Sequence, residues 1–178
     1  MKKTILIFIA LQIGITAYSQ EEKRFEPGSE LIEKTIISQI NPKSKILFIF
    51  KDDTHLVNFY EDLEKKIKKR FRKSKHKISF NYELTSSTPL ESDLKSTPQK
   101  KYDQIDHDYI CIISISSIEG WDDHLLEERK QSYYVNIKMS KTGTNIICVS
   151  GKIKVHSTFV ISTQNLNTSE LIYKLINL

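Results

Sequence analysis

Three short stretches of the chain set carboxylates beside an imidazole: Asp52-Asp53-Thr54-His55, Asp106-His107-Asp108 and Asp122-Asp123-His124. Carboxylate oxygens and neutral imidazole nitrogens together suit a divalent transition metal. The first stretch follows the apolar run at 45–50 and the third follows the apolar run at 108–118. If those runs are parallel strands, both clusters stand on one rim, where α/β sheets usually take their ligands. Asp106-His107-Asp108 precedes its strand and belongs on the opposite rim. The competing reading is that Asp at strand ends and helix starts is ordinary cap and turn chemistry, and no His-x-x-x-His or Cys-x-x-Cys reinforces the ligand reading. Trp121, beside Asp122, either lines a small pocket there or sits at the edge of the core. Asp52, Asp53, His55, Asp122, Asp123 and His124 are therefore the ligand candidates of one reading, a divalent-metal-binding protein or a small metal-assisted hydrolase.

Residues 65–77 raise a different chemistry. Nine of these thirteen positions are Lys or Arg and none is acidic. Leu56, Phe59, Tyr60, Leu63, Ile67 and Phe71 recur at spacings of three and four, one apolar stripe on a helix from about Thr54 to Lys73. Lys65, Lys69 and Arg72 then point away from the core, with Lys73 beside them. Helix physics accounts for much of the charge: Asp53 or Thr54 caps the start, acids come early and bases late, and Glu61–Lys65, Asp62–Lys66 and Glu64–Lys68 are favourable four-residue pairs. What remains is either a solvated face or a docking patch for an anionic partner. Phe71 belongs to the buried stripe, which leaves no aromatic to stack on bases, so nucleic acid is not an expected partner; the stripe is committed to the core, so this helix does not insert into lipid.

Other candidate chemistry is thin. Ser92-x-x-Lys95 with Lys141-Thr142-Gly143 matches fragments of a penicillin-binding signature, but no Ser-Asp-Asn lies between and the chain is far too short for that fold. His156 alternates with Lys and Thr on a wet strand face, with no G-x-S-x-G motif anywhere. Cys111 and Cys148 each sit in an apolar run; they are either a disulfide, which an oxidising compartment permits, or two small core hydrophobes. No cofactor is expected.

The elements that hold these residues can be read in turn. Lys2 and Lys3, the apolar run from Ile5 to Ala17 and the small-x-small pattern Ala17-Tyr18-Ser19 form a secretory leader over residues 1–19, with no lipid-anchor cysteine after it. A mature chain from Gln20, secreted or periplasmic, has no membrane span and folds as one domain over 20–178. The whole chain carries 27 basic and 22 acidic residues, a net +5. Without the leader it carries 25 against 22, and without the nine bases of 65–77 as well it carries 16 against 22, a net −6. The basicity is local, so the pI near 9.0 is no argument for nucleic acid. Ser29 precedes Leu31, Ile32, Thr35, Ile36 and Ile40, whose spacing predicts a first helix ended by Asn41-Pro42. KILFIF at 45–50 and DYICIISISSI at 108–118 read as strands covered on both faces. KISFNYEL at 77–84 alternates and makes a strand parallel to the first. Residues 85–104 are a Ser/Thr/Pro/Lys connector. Two alternating runs around SKTGTN form a hairpin with one wet face, and Asn167 with Glu170 caps a final helix buried through Leu171, Ile172, Leu175 and Ile176. The expectation is a mixed α/β domain, a sheet of about five strands with packed helices in two or three layers.

Asp108-Tyr109 before Ile110 to Ile113, the run Tyr133 to Met139 and Thr142-Gly143 at a hairpin turn, after a strand–helix–strand unit, resemble the small periplasmic α/β modules of the TolB amino-terminal, CsgG and LpoB type. The acidic residue usual before the turn is Ser140 or Lys141 here, and the anchor cysteine common in two of those groups is absent. The resemblance implies a non-enzymatic envelope adaptor that docks on a partner protein, and it carries over no binding residues. That is the favoured reading, with docking through the basic helix or the wet hairpin face; on the helix, Lys65, Lys69, Arg72 and Lys73 are the candidate contacts for an envelope protein or an anionic envelope polymer.

Overall fold

The structure, a computed structural model, describes residues 26–85, 106–119, 130–144, 146–158 and 161–177. The expected leader, the connector beyond residue 85, and Trp121, Asp122, Asp123 and His124 lie outside the described residues.

Five consecutive buried residues, Ile46 to Phe50, make β2 (Lys45–Asp53) the centre of the fold. Such a run can be satisfied only where both faces are covered and both edges paired. Its neighbours are β3 (Lys77–Thr85) and β4 (Tyr109–Glu119), both parallel to it. Beyond β4, the antiparallel strands β5 (Lys130–Lys141) and β6 (Ile147–Thr158) follow, and β1 (Gly28–Ile36) closes the far edge against β6. The order is β1-β6-β5-β4-β2-β3. This is a mixed α/β fold with six strands where the sequence suggests about five.

The additional strand is the segment expected to be the first helix. Its apolar spacing of three and four arises from an irregularity in β1: the register with β6 shifts between Leu31 and Glu33. Across that shift Leu31, Lys34 and Ile36 lie opposite Ile153, Gly151 and Val149, so a strand carries a helix-like spacing. Ile32, Thr35, Ile36 and Ile37 are β-branched and favour the extended chain, and the edge of β6 supplies the backbone partners. Ser29 is no helix cap; its hydroxyl lies 3.2 Å from that of Thr168.

Two helices pack on one face of the sheet. α1 (Val57–Phe71) follows a single 3-10 turn, Thr54–Leu56, and the expected stripe of Leu56, Phe59, Tyr60, Leu63, Ile67 and Phe71 is buried in full. α2 (Asn165–Ile176) begins two residues before Asn167, after the 3-10 turn Ile161–Gln164. Asn167 bonds the side chain of Gln164 instead of capping. Ile172, Leu175 and Ile176 are buried as expected, with Leu171 partly so. Gly151 lets α2 close on β6, since a Cβ there would stand 2.6 Å from Leu175 Cδ2. Phe71 meets Tyr173 edge-on at 5.0 Å between ring centres, and fully buried Asn165 donates to the Phe59 carbonyl and to Asp62, each at 3.1 Å. The hairpin turn between β5 and β6 uses Gly143 at φ 75, a left-handed conformation that glycine adopts without strain.

The strand directions give the sheet two rims. β2, β3 and β4 end where β1 and β5 begin, at a rim carrying Asp52 and Asp53. They start where β1 and β5 end and β6 begins, and α1 and α2 both finish at that second rim.

Candidate docking surface

α1 buries one side completely, so its chemistry is confined to the other. Of its bases, Lys66 pairs with Asp62 at 3.6 Å, Lys68 pairs with Glu64, and Arg70 reaches Glu170 on α2 at 2.5 Å. Lys65, Lys69, Arg72 and Lys73 are exposed, and among the described residues no carboxylate stands within ion-pair distance of any of them. The expected Glu61–Lys65 pair is not formed. The free charges are therefore a subset of the basic run, sorted from the rest by which acid each base can reach. Glu64 is held from its other side by the Tyr82 hydroxyl; burial first, then the Glu64 bond, raises the Tyr82 pKa, so the phenol stays a donor.

The basic surface extends beyond the helix. β2 and β3 are parallel and Lys45 lies directly opposite Lys77, so Lys43 and Lys45 come beside Lys75 and Lys77, all four exposed. The sequence separates these pairs by about thirty positions, and only the parallel pairing of the two strands could have joined them. His76, between Lys75 and Lys77, adds no charge at neutral pH. It is buried, with Nδ1 3.0 Å from the Ser44 hydroxyl, and burial lowers its pKa against the opposing bond to Asn177.

At the other rim the carboxylates are engaged by the fold. Asp52 Oδ2 accepts from the Tyr60 hydroxyl at 2.8 Å and the Ile115 amide at 2.7 Å, and Oδ1 accepts from the Asp53 amide at 2.9 Å. The side chain thereby continues the β2–β4 ladder beyond Phe50–Ile113, and burial together with Asp52 raises the Tyr60 pKa. Asp53 caps the 3-10 turn, accepting from the His55 amide at 2.9 Å, with His55 Nε2 3.8 Å away and the His55 side chain 56% exposed. Among the described residues no group of three His, Cys, Asp or Glu is placed to hold a metal ion. Asp108 lies at the opposite rim, as its place before β4 implies, accepting from the Lys45 amide at 2.7 Å.

Cys111 and Cys148 are free and buried. They lie on β4 and β6 with β5 between, two strand spacings or about 9–10 Å apart, beyond the roughly 7 Å a disulfide spans. The disulfide alternative is thus corrected to core packing. Burial raises the Cys111 thiol pKa, which keeps it protonated and unreactive.

No family model matches the chain, and no curated protein matches it. Its fold is similar to that of the PelC dodecamer from Paraburkholderia phytofirmans. A leucine-to-methionine variant of that protein is 10% identical over 84% of this chain and 96% of that one, with a TM-score of 0.50. A second crystal form gives 12% identity, 84% and 92% coverage and a TM-score of 0.46. The hypothetical protein CT253 from Chlamydia trachomatis gives 13% identity over 75% of this chain and 93% of that one, at 0.37. The likeness is one of fold.

Proposed function

We propose that this chain is a secreted or periplasmic, non-catalytic binding or adaptor domain that docks on an anionic envelope protein or polymer through the outer face of α1. The observation that carries the reading is the separation along α1 and the two residues after it: three bases are neutralised by Asp62, Glu64 and Glu170, while Lys65, Lys69, Arg72 and Lys73 stand exposed with no carboxylate paired to them among the described residues. Exposed charges of this kind contribute little to folding but draw in a partner of opposite sign. The resemblance to TolB, CsgG and LpoB modules supports a role in contact with other chains, and so does the dodecameric state of PelC.

The test is binding of the protein to an immobilised envelope fraction at 0.05 and 0.5 M salt. Binding should fall with salt, and the variant carrying Lys65→Gln, Lys69→Gln, Arg72→Gln and Lys73→Gln should bind about tenfold more weakly with its melting temperature unchanged. Equal binding by variant and parent refutes the reading.

A further inference from the structure

The rim at which β2, β3 and β4 begin carries an apolar patch beside its bases. The described residues include six exposed large hydrophobics, and four of them, Ile36, Ile37, Ile146 and Ile147, lie here. Ile36 stands opposite Val149 at the end of β1, the Ile37 amide bonds the Cys148 carbonyl at 2.8 Å, and Ile147 opens β6 with Ile146 just before it. Ile37 and Ile146 are each 65% exposed, more than any other large apolar side chain described. Single exposed hydrophobics are commonplace; four gathered at two adjoining strand ends mark a contact surface.

The bases of the same rim continue the patch along the sheet. Passing from β1 and β6, the next strand, β5, ends in exposed Lys141, and β2 and β3 then bring Lys43, Lys45, Lys75 and Lys77. Arg72 and Lys73 follow the end of α1. Only Asp106 and Asp108 are exposed acids here among the described residues, and Asp108 is held by the Lys45 amide. No ion pair neutralises these bases among the described residues. Six strand ends about 4.8 Å apart make a front about 24 Å long, apolar at one end and cationic at the other.

We propose that this rim is a membrane-docking face for an anionic bilayer, with Ile37 and Ile146 entering the headgroup–acyl boundary and the lysines contacting anionic headgroups. A soluble polyanion would be recognised by the bases alone and gives no role to the isoleucines. The boundary of an anionic bilayer presents negative charge and apolar surface side by side at one depth, matching both halves of the front. Several lysines with two isoleucines give reversible adhesion rather than permanent insertion. The face shares Arg72 and Lys73 with the docking surface of α1 but does not depend on Lys65 or Lys69, which lie further back along the helix. A domain seated this way would hold the flank of α1 toward its partner.

The test is flotation of the protein, as its host processes it, with vesicles of phosphatidylcholine alone and with one third phosphatidylglycerol. The parent should float with the anionic vesicles, not with the neutral ones, and should be released by 0.5 M salt. The Lys43→Gln, Lys45→Gln, Lys75→Gln, Lys77→Gln variant should bind about a hundredfold more weakly, and Ile37→Ser with Ile146→Ser about tenfold, each with an unchanged melting temperature. Lys65→Gln with Lys69→Gln should stay within about twofold of the parent. Full binding by the isoleucine variant would overturn the proposal in favour of simple charge attraction, as would equal binding to neutral vesicles. Loss confined to the Lys65 and Lys69 variant would also overturn it, while leaving the α1 reading intact.

Discussion

The two rims of one sheet treat charge in opposite ways. At the end of β2, Asp52 is consumed by three hydrogen bonds and Asp53 by the turn it caps. At the start of the same strand, Lys43 and Lys45 face solvent beside Lys75 and Lys77, with no ion pair among the described residues. Residue type made the first rim the ligand candidate of the alternative reading, because Asp beside His suits a divalent metal. Within the described residues Asp52 and Asp53 serve the fold, while no described carboxylate pairs with these lysines; Asp122, Asp123 and His124, the other half of the ligand set, lie outside the described residues.

That contrast breaks most visibly at Asp52. Asp52→Ala leaves the Tyr60 hydroxyl and the Ile115 amide without an acceptor, which should cost about 1–3 kcal/mol, or roughly 3–9 °C in melting temperature for a domain of this size. Chelator treatment should leave the parent's melting curve in place. A loss under 1 °C for Asp52→Ala, or destabilisation by chelator, would return the rim to the ligand reading.

A smaller effect sharpens the other side. His76 is neutral in the fold because burial lowers its pKa, so the unfolded chain takes up a proton first as pH falls. The stability tied to neutral His76 is complete above the ordinary histidine value of about 6.5 and is lost as pH falls through the lowered one. Melting temperatures at pH 7 and pH 5 should therefore drop more for the parent than for His76→Asn, whose amide can still meet Ser44. Equal drops would remove His76 from the account.

Much of this fold was legible because its strongest signals are local. The apolar stripe of α1 needed only a period of 3.6, and the run Ile46 to Phe50 needed only its length. β1 was misread because the shift between Leu31 and Glu33 turns a strand pattern into a helical one, and the strand exists through its pairing with β6. The site divided in the same way. Lys65, Lys69, Arg72 and Lys73 could be named from helix geometry, and the Asp62–Lys66 and Glu64–Lys68 pairs from their spacing, whereas the partner of Arg70 is Glu170, a hundred residues away. The expected parallel pair already implied that Lys43 and Lys45 start beside Lys75 and Lys77, whereas the place of Lys141 and the isoleucines on the same rim was hidden, since strand order alone assembles it. The separation of Cys111 from Cys148 by β5 was hidden for the same reason.

The most direct measurement sets paired against unpaired bases on α1. Binding to the envelope fraction at 0.05 M salt is compared for Lys66→Gln with Lys68→Gln and for Lys65→Gln with Lys69→Gln, variants of equal charge change. The account predicts near-parental binding for the first, whose lysines are already neutralised by Asp62 and Glu64, and a several-fold loss for the second. Equal loss in both would show that only net charge matters and would contradict the claim that the unpaired face of α1 is the docking surface.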